Sequence, residues 1–182
     1  MSKDIFVALI DSGCTFETHE KIAIKVENNK TFTTTQNEIK YKHGDVIGKI
    51  ISFSENIKLY DIQVFDENLR TTPSHIIGAL TYLLDKKVDV INMSLGLKTN
   101  YKEIEDLCKK LSSNGVTIIS SFPRSGADFV FPASYDEVIS VTSDGKCREN
   151  EVSCVDIKKS LFGANPFSKE EGVGGSSVAV AR

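Results

Sequence analysis

Asp4–Gly13 reads DIFVALIDSG: six consecutive apolar residues, Ile5 to Ile10, closed by Asp11 and the turn signal Ser12-Gly13. An unbroken apolar run of that length describes a strand buried on both faces, the habit of strands inside a parallel sheet. Parallel strands need long crossovers, so helices should alternate with strands downstream. They do. VDVINMSL (88–95), GVTIISS (115–121), DEVISVTS (136–143) and NIKLYDIQVF (56–65) predict further strands. GDVIGKIISF (44–53), TPSHIIGALTYLLDKK (72–87) and YKEIEDLCKKLSSNG (101–115) carry apolar residues at helical spacing. Thr72 or Ser74 stands near the second helix's cap, and Asn114-Gly115 closes the third. KIAIKVE and KTFTTTQ, joined by Asn28-Asn29, alternate in polarity and predict an exposed hairpin. The implied fold class is α/β, a mostly parallel, doubly wound sheet with right-handed crossovers and helices on both faces. No linker or repeat divides the chain, so residues 1–182 are expected to form a single domain. Residues 143–174, rich in Gly, Ser, Asn and Lys, predict a short hairpin and a surface loop.

Composition narrows the function. The 182 residues are 40% hydrophobic and 26% charged, ordinary for a globular chain. A net charge of -3 leaves no basic footprint for nucleic acid. No apolar run approaches the roughly 20 residues of a membrane span. The chain enters its first strand without a basic segment and a long apolar core before it, so the expected compartment is the cytoplasm, where thiols stay reduced. Cys14, Cys108, Cys147 and Cys154 show no C-x-x-C spacing and no histidine close enough for a zinc site. Cys147 and Cys154, in CRENEVSC, could face each other across a hairpin, but the compartment favours four free thiols.

In such a sheet, catalytic groups gather at the carboxyl ends of the strands. Asp11 closes the first strand, His43 in YKHGDVIG starts a helix, and Ser177 in GGSSVA starts another. Serine is a weak nucleophile until a histidine takes its proton, and a buried aspartate fixes that histidine's tautomer and stabilises its cation. Each residue alone has a plainer account, since aspartates close turns and Gly-Ser-Ser makes loops. The set in the order Asp, His, Ser points to nucleophilic acyl transfer. His19 and His75 read as surface or capping residues, and Cys14 as a small buried thiol.

Several stretches resemble the subtilisin-like serine peptidases (subtilases, the S8 family). VALIDSG is similar to that family's aspartate motif, HGDVIGKII to its histidine motif, and VDVINMSLG to its substrate-binding strand. FPASYDEVISV resembles the segment after the oxyanion loop, and GGSSVAVA resembles GTS-x-A around the nucleophile. These segments span residues 5–181 in the family's order. The resemblance implies a serine endopeptidase working through an acyl-enzyme. Asp11 would orient the imidazole, His43 would be general base and acid, and Ser177 the nucleophile, with Ser176 at the family's neighbouring threonine. Ser94, Leu95 and Gly96 would pair with an extended peptide or protein substrate. The Ser177 backbone N–H would meet the oxyanion. Calcium is common in the family, but no site for it can be built from these residues, and no other cofactor is implied.

The sequence also departs from the family. Where an asparagine donor to the oxyanion is expected in AAAGN-x-G, SSFPRSG places Arg124, with Pro123 for the preceding glycine. Arg124 could bend back to the oxyanion, or point to solvent or pair with an acid such as Asp128. Phe122 replaces a small residue lining the pocket before the cleaved bond, which would narrow that pocket. Asp45, Val46 and Lys49 stand for a threonine, a second histidine and a packing glycine. Ala181 occupies a proline position, and one turn of helix is marginal alone. Ser177 is therefore expected to need support from packing or from a partner chain completing the C-terminal region. The leading expectation is a peptidase that processes a specific peptide or protein partner; the alternative is a pseudopeptidase that binds extended peptide in the same cleft without cutting it. A generic phosphate-binding domain fits poorly, because no G-x-G-x-x-G or P-loop follows a strand.

Overall fold

In the computed structural model, which describes residues 3–124 and 129–182, the opening apolar run becomes strand β1 (Ile5–Asp11). It is followed by β2 (Glu20–Glu27), β3 (Lys30–Thr34), α1 (His43–Ile51), β4 (Ile57–Gln63), α2 (Pro73–Leu83), β5 (Val90–Met93) and α3 (Lys102–Ser113). Then come β6 (Thr117–Ser121), β7 (Val138–Ser143), β8 (Val152–Asp156), one 3-10 turn (Ile157–Lys159), β9 (Leu161–Ala164) and α4 (Ser176–Ala181). The described strands form one sheet in the order β3-β2-β4-β1-β5-β6-β7-β9-β8. It is parallel from β2 to β9, with β3 and β8 added antiparallel at its two margins.

Alternation along β1 explains the two layers of helices. Ala8 and Ile10 join Tyr60, Ile62, Ile91, Met93 and Ile118 beneath α2 and α3, where Ile76, Leu80, Ile104 and Leu111 cover them. Val7 and Leu9 face the other way and meet Leu59, Ile47 and Ile51 of α1, and Val178 of α4. The α/β sheet with helices on both faces is thus observed.

Local differences have local causes. Asn28 and Asn29 both take left-handed backbone (φ 51 and 58), the two-residue turn whose twist suits a hairpin. The hairpin is exposed only along β3. β2 pairs with β4, and its Ile24 packs so closely on α2 that a Cβ at Gly78 would lie 2.7 Å from Ile24 Cγ2. Within residues 143–174 the expected hairpin is β8–β9, but β9 also pairs with β7, and Ala164 is buried against Val141 and α4. All four cysteines are free; Cys147 is buried while Cys154 is exposed. Among the described residues no helix is long and apolar enough to cross a membrane.

Several of this chain's own side chains pack against α4. Val178 is fully buried with Ile47 and Cys14, while Ala179 and Val180 pack on Val141 and Ala164. Beyond the helix, Arg182 pairs with Glu149 at 2.9 Å, and its Nη2 donates to the Phe167 carbonyl at 2.8 Å.

Candidate active site

The carboxyl ends of three parallel strands, β1, β5 and β6, deliver Asp11, Ser94 and Phe122 to one edge of the sheet. The first turns of α1 and α4 bring His43 and Ser177 to the same edge.

Asp11 is 1% exposed, and its Oδ1 accepts from His43 Nδ1 at 2.8 Å and from the Ser12 N–H at 2.6 Å. An ionised aspartate has no proton to give, so the imidazole carries hydrogen on Nδ1 and leaves Nε2 as the basic nitrogen. The turn after Asp11 clamps the helix bearing His43. Ser12 Oγ accepts from the Gly44 N–H at 3.0 Å, and a Cβ on Gly44 would overlap the Gly13 carbonyl oxygen. Gly48, one turn on, sits where a Cβ would come within 2.7 Å of Cys14 Sγ. Close packing of α1 is thus met by Gly48, beside the Lys49 that departs from the family's glycine. Burial works against a charged His43, but the hydrogen bond and negative charge of Asp11 outweigh it, and the net effect raises the pKa above the ordinary 6.5.

Ser177 arrives from the opposite side. Gly175 precedes the helix with φ 75, a left-handed conformation natural to glycine. Ser176 is held by its hydroxyl, which donates to the Phe122 carbonyl at 2.8 Å. The Ser177 hydroxyl donates to the Ser94 carbonyl at 3.4 Å, and Ser94 Oγ in turn lies 3.2 Å from the Ser177 carbonyl. Asp11 and His43 are therefore brought into contact, whereas Ser177 is bonded to Ser94, and among the described residues no hydrogen bond joins it to His43.

Ser94 and Leu95 are buried, and Gly96 is exposed. Arg124 is exposed and shares with Gly174, Gly175 and Ser143 the wall of a cavity of about 370 Å³ beside the start of α4. Its suggested acid, Asp128, lies outside the described residues. His19 packs edge-on against Phe6 and Tyr60, and His75 hydrogen-bonds Thr72 at 2.8 Å at the start of α2. Burial pushes the Cys14 thiol up, so it is no thiolate. Among the described residues no three His, Cys, Asp or Glu side chains gather where a metal could sit.

Two residues that support the site escaped the sequence. Asp45 accepts from the Thr15 N–H at 2.6 Å and from the Thr15 hydroxyl, tying the loop after β1 to α1. Asp61, fully buried in β4, accepts from the Cys14 N–H at 2.8 Å, and burial raises its pKa. An aspartate in the middle of the apolar NIKLYDIQVF was the available signal for Asp61. Asp45 gave a weaker one, as an acid in a helix's first turn.

A family model described as the subtilase family matches residues 2–162, ending before α4. The "Major intracellular serine protease" of Bacillus subtilis (strain 168) is 26% identical, over 97% of this chain and 65% of the relative. The "Intracellular serine protease" of Paenibacillus polymyxa is 25% identical, over 97% of this chain and 63% of the relative. The chain thus spans somewhat less than two thirds of these relatives' length. Among solved structures, "S41 Psychrophilic Protease" superposes with a TM-score of 0.71 at 15% identity, over 98% of this chain and 74% of that one.

Proposed function

The chain belongs to the subtilase family, and on that premise we propose that it is a serine endopeptidase in which Asp11, His43 and Ser177 form the catalytic triad. The observation that carries this reading is the 2.8 Å contact of His43 with a buried Asp11 at the sheet edge where Ser177 begins α4. The Ser177 hydroxyl turns from Ser94 to His43 Nε2 as substrate binds, since such bonds commonly tighten only in the reacting complex. His43 takes the proton, Ser177 Oγ attacks the peptide carbonyl, and the tetrahedral oxyanion accepts from the Ser177 N–H. Arg124 reaches the same oxygen from the adjoining cavity wall in place of an asparagine. His43 then protonates the leaving amine, and water attacks the acyl-enzyme with His43 again as base. An extended peptide or protein is held along Ser94–Gly96, beside Phe122. The two relatives named as intracellular support a cytoplasmic site of action. All the relatives cited are named as proteases, which does not favour a binding-only role.

A fluorophosphonate probe tests the proposal. Labelling is expected on Ser177, located by mass spectrometry of the digested adduct, and is lost in Ser177→Ala. A folded protein that stays unlabelled would remove the triad assignment.

A further inference from the structure

From the packing over Gly96 we infer that the substrate residue just before the cleaved bond carries a small side chain, glycine, alanine or serine, and that Val130 sets this limit. The inference rests on the endopeptidase reading and deepens it. If Ser177 attacks a peptide carbonyl, that carbonyl lies within bonding distance of an oxygen already 3.4 Å from the Ser94 carbonyl. With the substrate held along Ser94–Gly96, as proposed above, the side chain of the same residue enters the space beside that segment. Gly96 is two residues beyond Ser94, at most about 7 Å along an extended chain.

That space has little depth. A Cβ built on Gly96 would lie 2.6 Å from Val130 Cγ1, a separation that side chains do not sustain, so the valine methyl already fills the volume above the glycine. Val130 is not free to swing away with its backbone. Its N–H donates to Ser134 Oγ at 3.0 Å, and its carbonyl accepts from the Ser134 N–H at 2.8 Å. The next residue is fixed as well, because Phe131 and Leu97 exchange both backbone hydrogen bonds, at 2.7 and 2.9 Å. On the far side, Ser121 Oγ donates to the Leu95 carbonyl at 3.3 Å, drawing the segment that leaves β6 against the one that leaves β5. The methyl thus lies over Gly96, where Ser121 ties the ends of β5 and β6 together. A leucine or phenylalanine entering the space above Gly96 would have to displace a methyl carried on a held backbone, and overpacking of that kind is disfavoured. Val130 is only partly buried, so its methyl is presented to an incoming group.

The test is a peptide library randomised at one position, with cleavage sites read by mass spectrometry on protein whose active serine has been counted by fluorophosphonate titration. Wild type is expected to cut after glycine, alanine and serine, and at least tenfold less well, in kcat/KM, after leucine or phenylalanine. Val130→Ala is expected to raise the leucine-to-alanine ratio about tenfold or more, each rate being taken per active serine counted by fluorophosphonate titration. Equal cutting after leucine and alanine by the wild type overturns the inference and leaves the peptidase assignment standing. An unchanged ratio in folded Val130→Ala whose active serine is titratable does the same. If the variant does not fold, the wild-type profile decides by itself. Protein that neither labels nor cleaves overturns the peptidase assignment, and this inference falls with it.

Discussion

The two sides of the candidate site are built on different principles. Asp11 and His43 sit where strand and helix meet backbone to backbone: Ser12 holds Gly44, Gly13 leaves no room for a side chain there, and Asp45 reaches back to Thr15. Ser177 rides on a six-residue helix secured by three small apolar residues, the Ser176 hydroxyl and the Arg182 side chain. The acid–base side is fixed by close packing that tolerates no added atom. Among the described residues the nucleophile side is held by a few separate side-chain contacts. A site whose halves must meet within an ångström is only as well defined as its looser half.

Chemistry should nonetheless make the halves equal. His43→Ala and Ser177→Ala are each expected to lower kcat by about 10⁶-fold, a figure that comes from a subtilisin triad. Because the residues act as a unit, the double variant should be no slower than either single one. A further loss in the double variant, measured on folded protein with one peptide substrate, would mean that the two sides work independently and that the triad is wrongly drawn.

Stability should separate them. Gly44→Ala forces a methyl against the Gly13 carbonyl and is expected to cost about 3 kcal/mol or more, or to prevent folding. Gly172→Ala, with left-handed φ but open space around it, should cost only about 1 kcal/mol. Urea denaturation of the two variants measures the difference; equal costs would show that packing does not set the rigidity of the first half. On the other side, Arg182→Met removes the contacts to Glu149 and Phe167 while keeping a long apolar stem. It is expected to slow fluorophosphonate labelling and kcat by roughly tenfold through misplacement of Ser177, and to leave the His43 titration unchanged. A shifted His43 pKa would instead tie Arg182 to the first half.

The same contrast governs how far the sequence was legible. DIFVALIDSG announced a central parallel strand because burial on both faces leaves a continuous apolar run, and HGDVIGKII announced its helix. Both signals come from packing repeated along an element. Asp61 was unread because its role lies in a single bond to the Cys14 N–H across the strand ladder, which no local pattern encodes. β9 was unread as a sheet member because LFGA is four residues long, too short for a period to show, and its burial comes from β7 and α4. Arg182 carries no local pattern that marks its role, although its side chain joins the end of α4 to Glu149 and Phe167. The candidate serine was visible in GGSSVA, but its hydrogen bond to Ser94 was not, since that depends on how two distant elements meet.

The smallest expected effect turns on His43 alone and joins the two halves through pH. Asp11 raises the His43 pKa above 6.5 in the folded protein, while the unfolded chain keeps the ordinary value. The folded state therefore holds its proton more tightly, and this pair's contribution to stability is complete below about pH 6.5. It is lost as pH rises through the higher folded value. Catalysis requires the opposite state, because only a neutral imidazole can accept the Ser177 proton. Activity should consequently climb over the interval in which this stabilisation disappears. The check is a pair of curves on the same protein, kcat/KM against pH and urea midpoint against pH, with Asp11→Asn as the comparison. In that variant the inflection of the stability curve should move back toward 6.5. Curves that rise together in the wild type would show that His43 is not the group controlling both, and would detach the packed half of the site from the reaction it is held to serve.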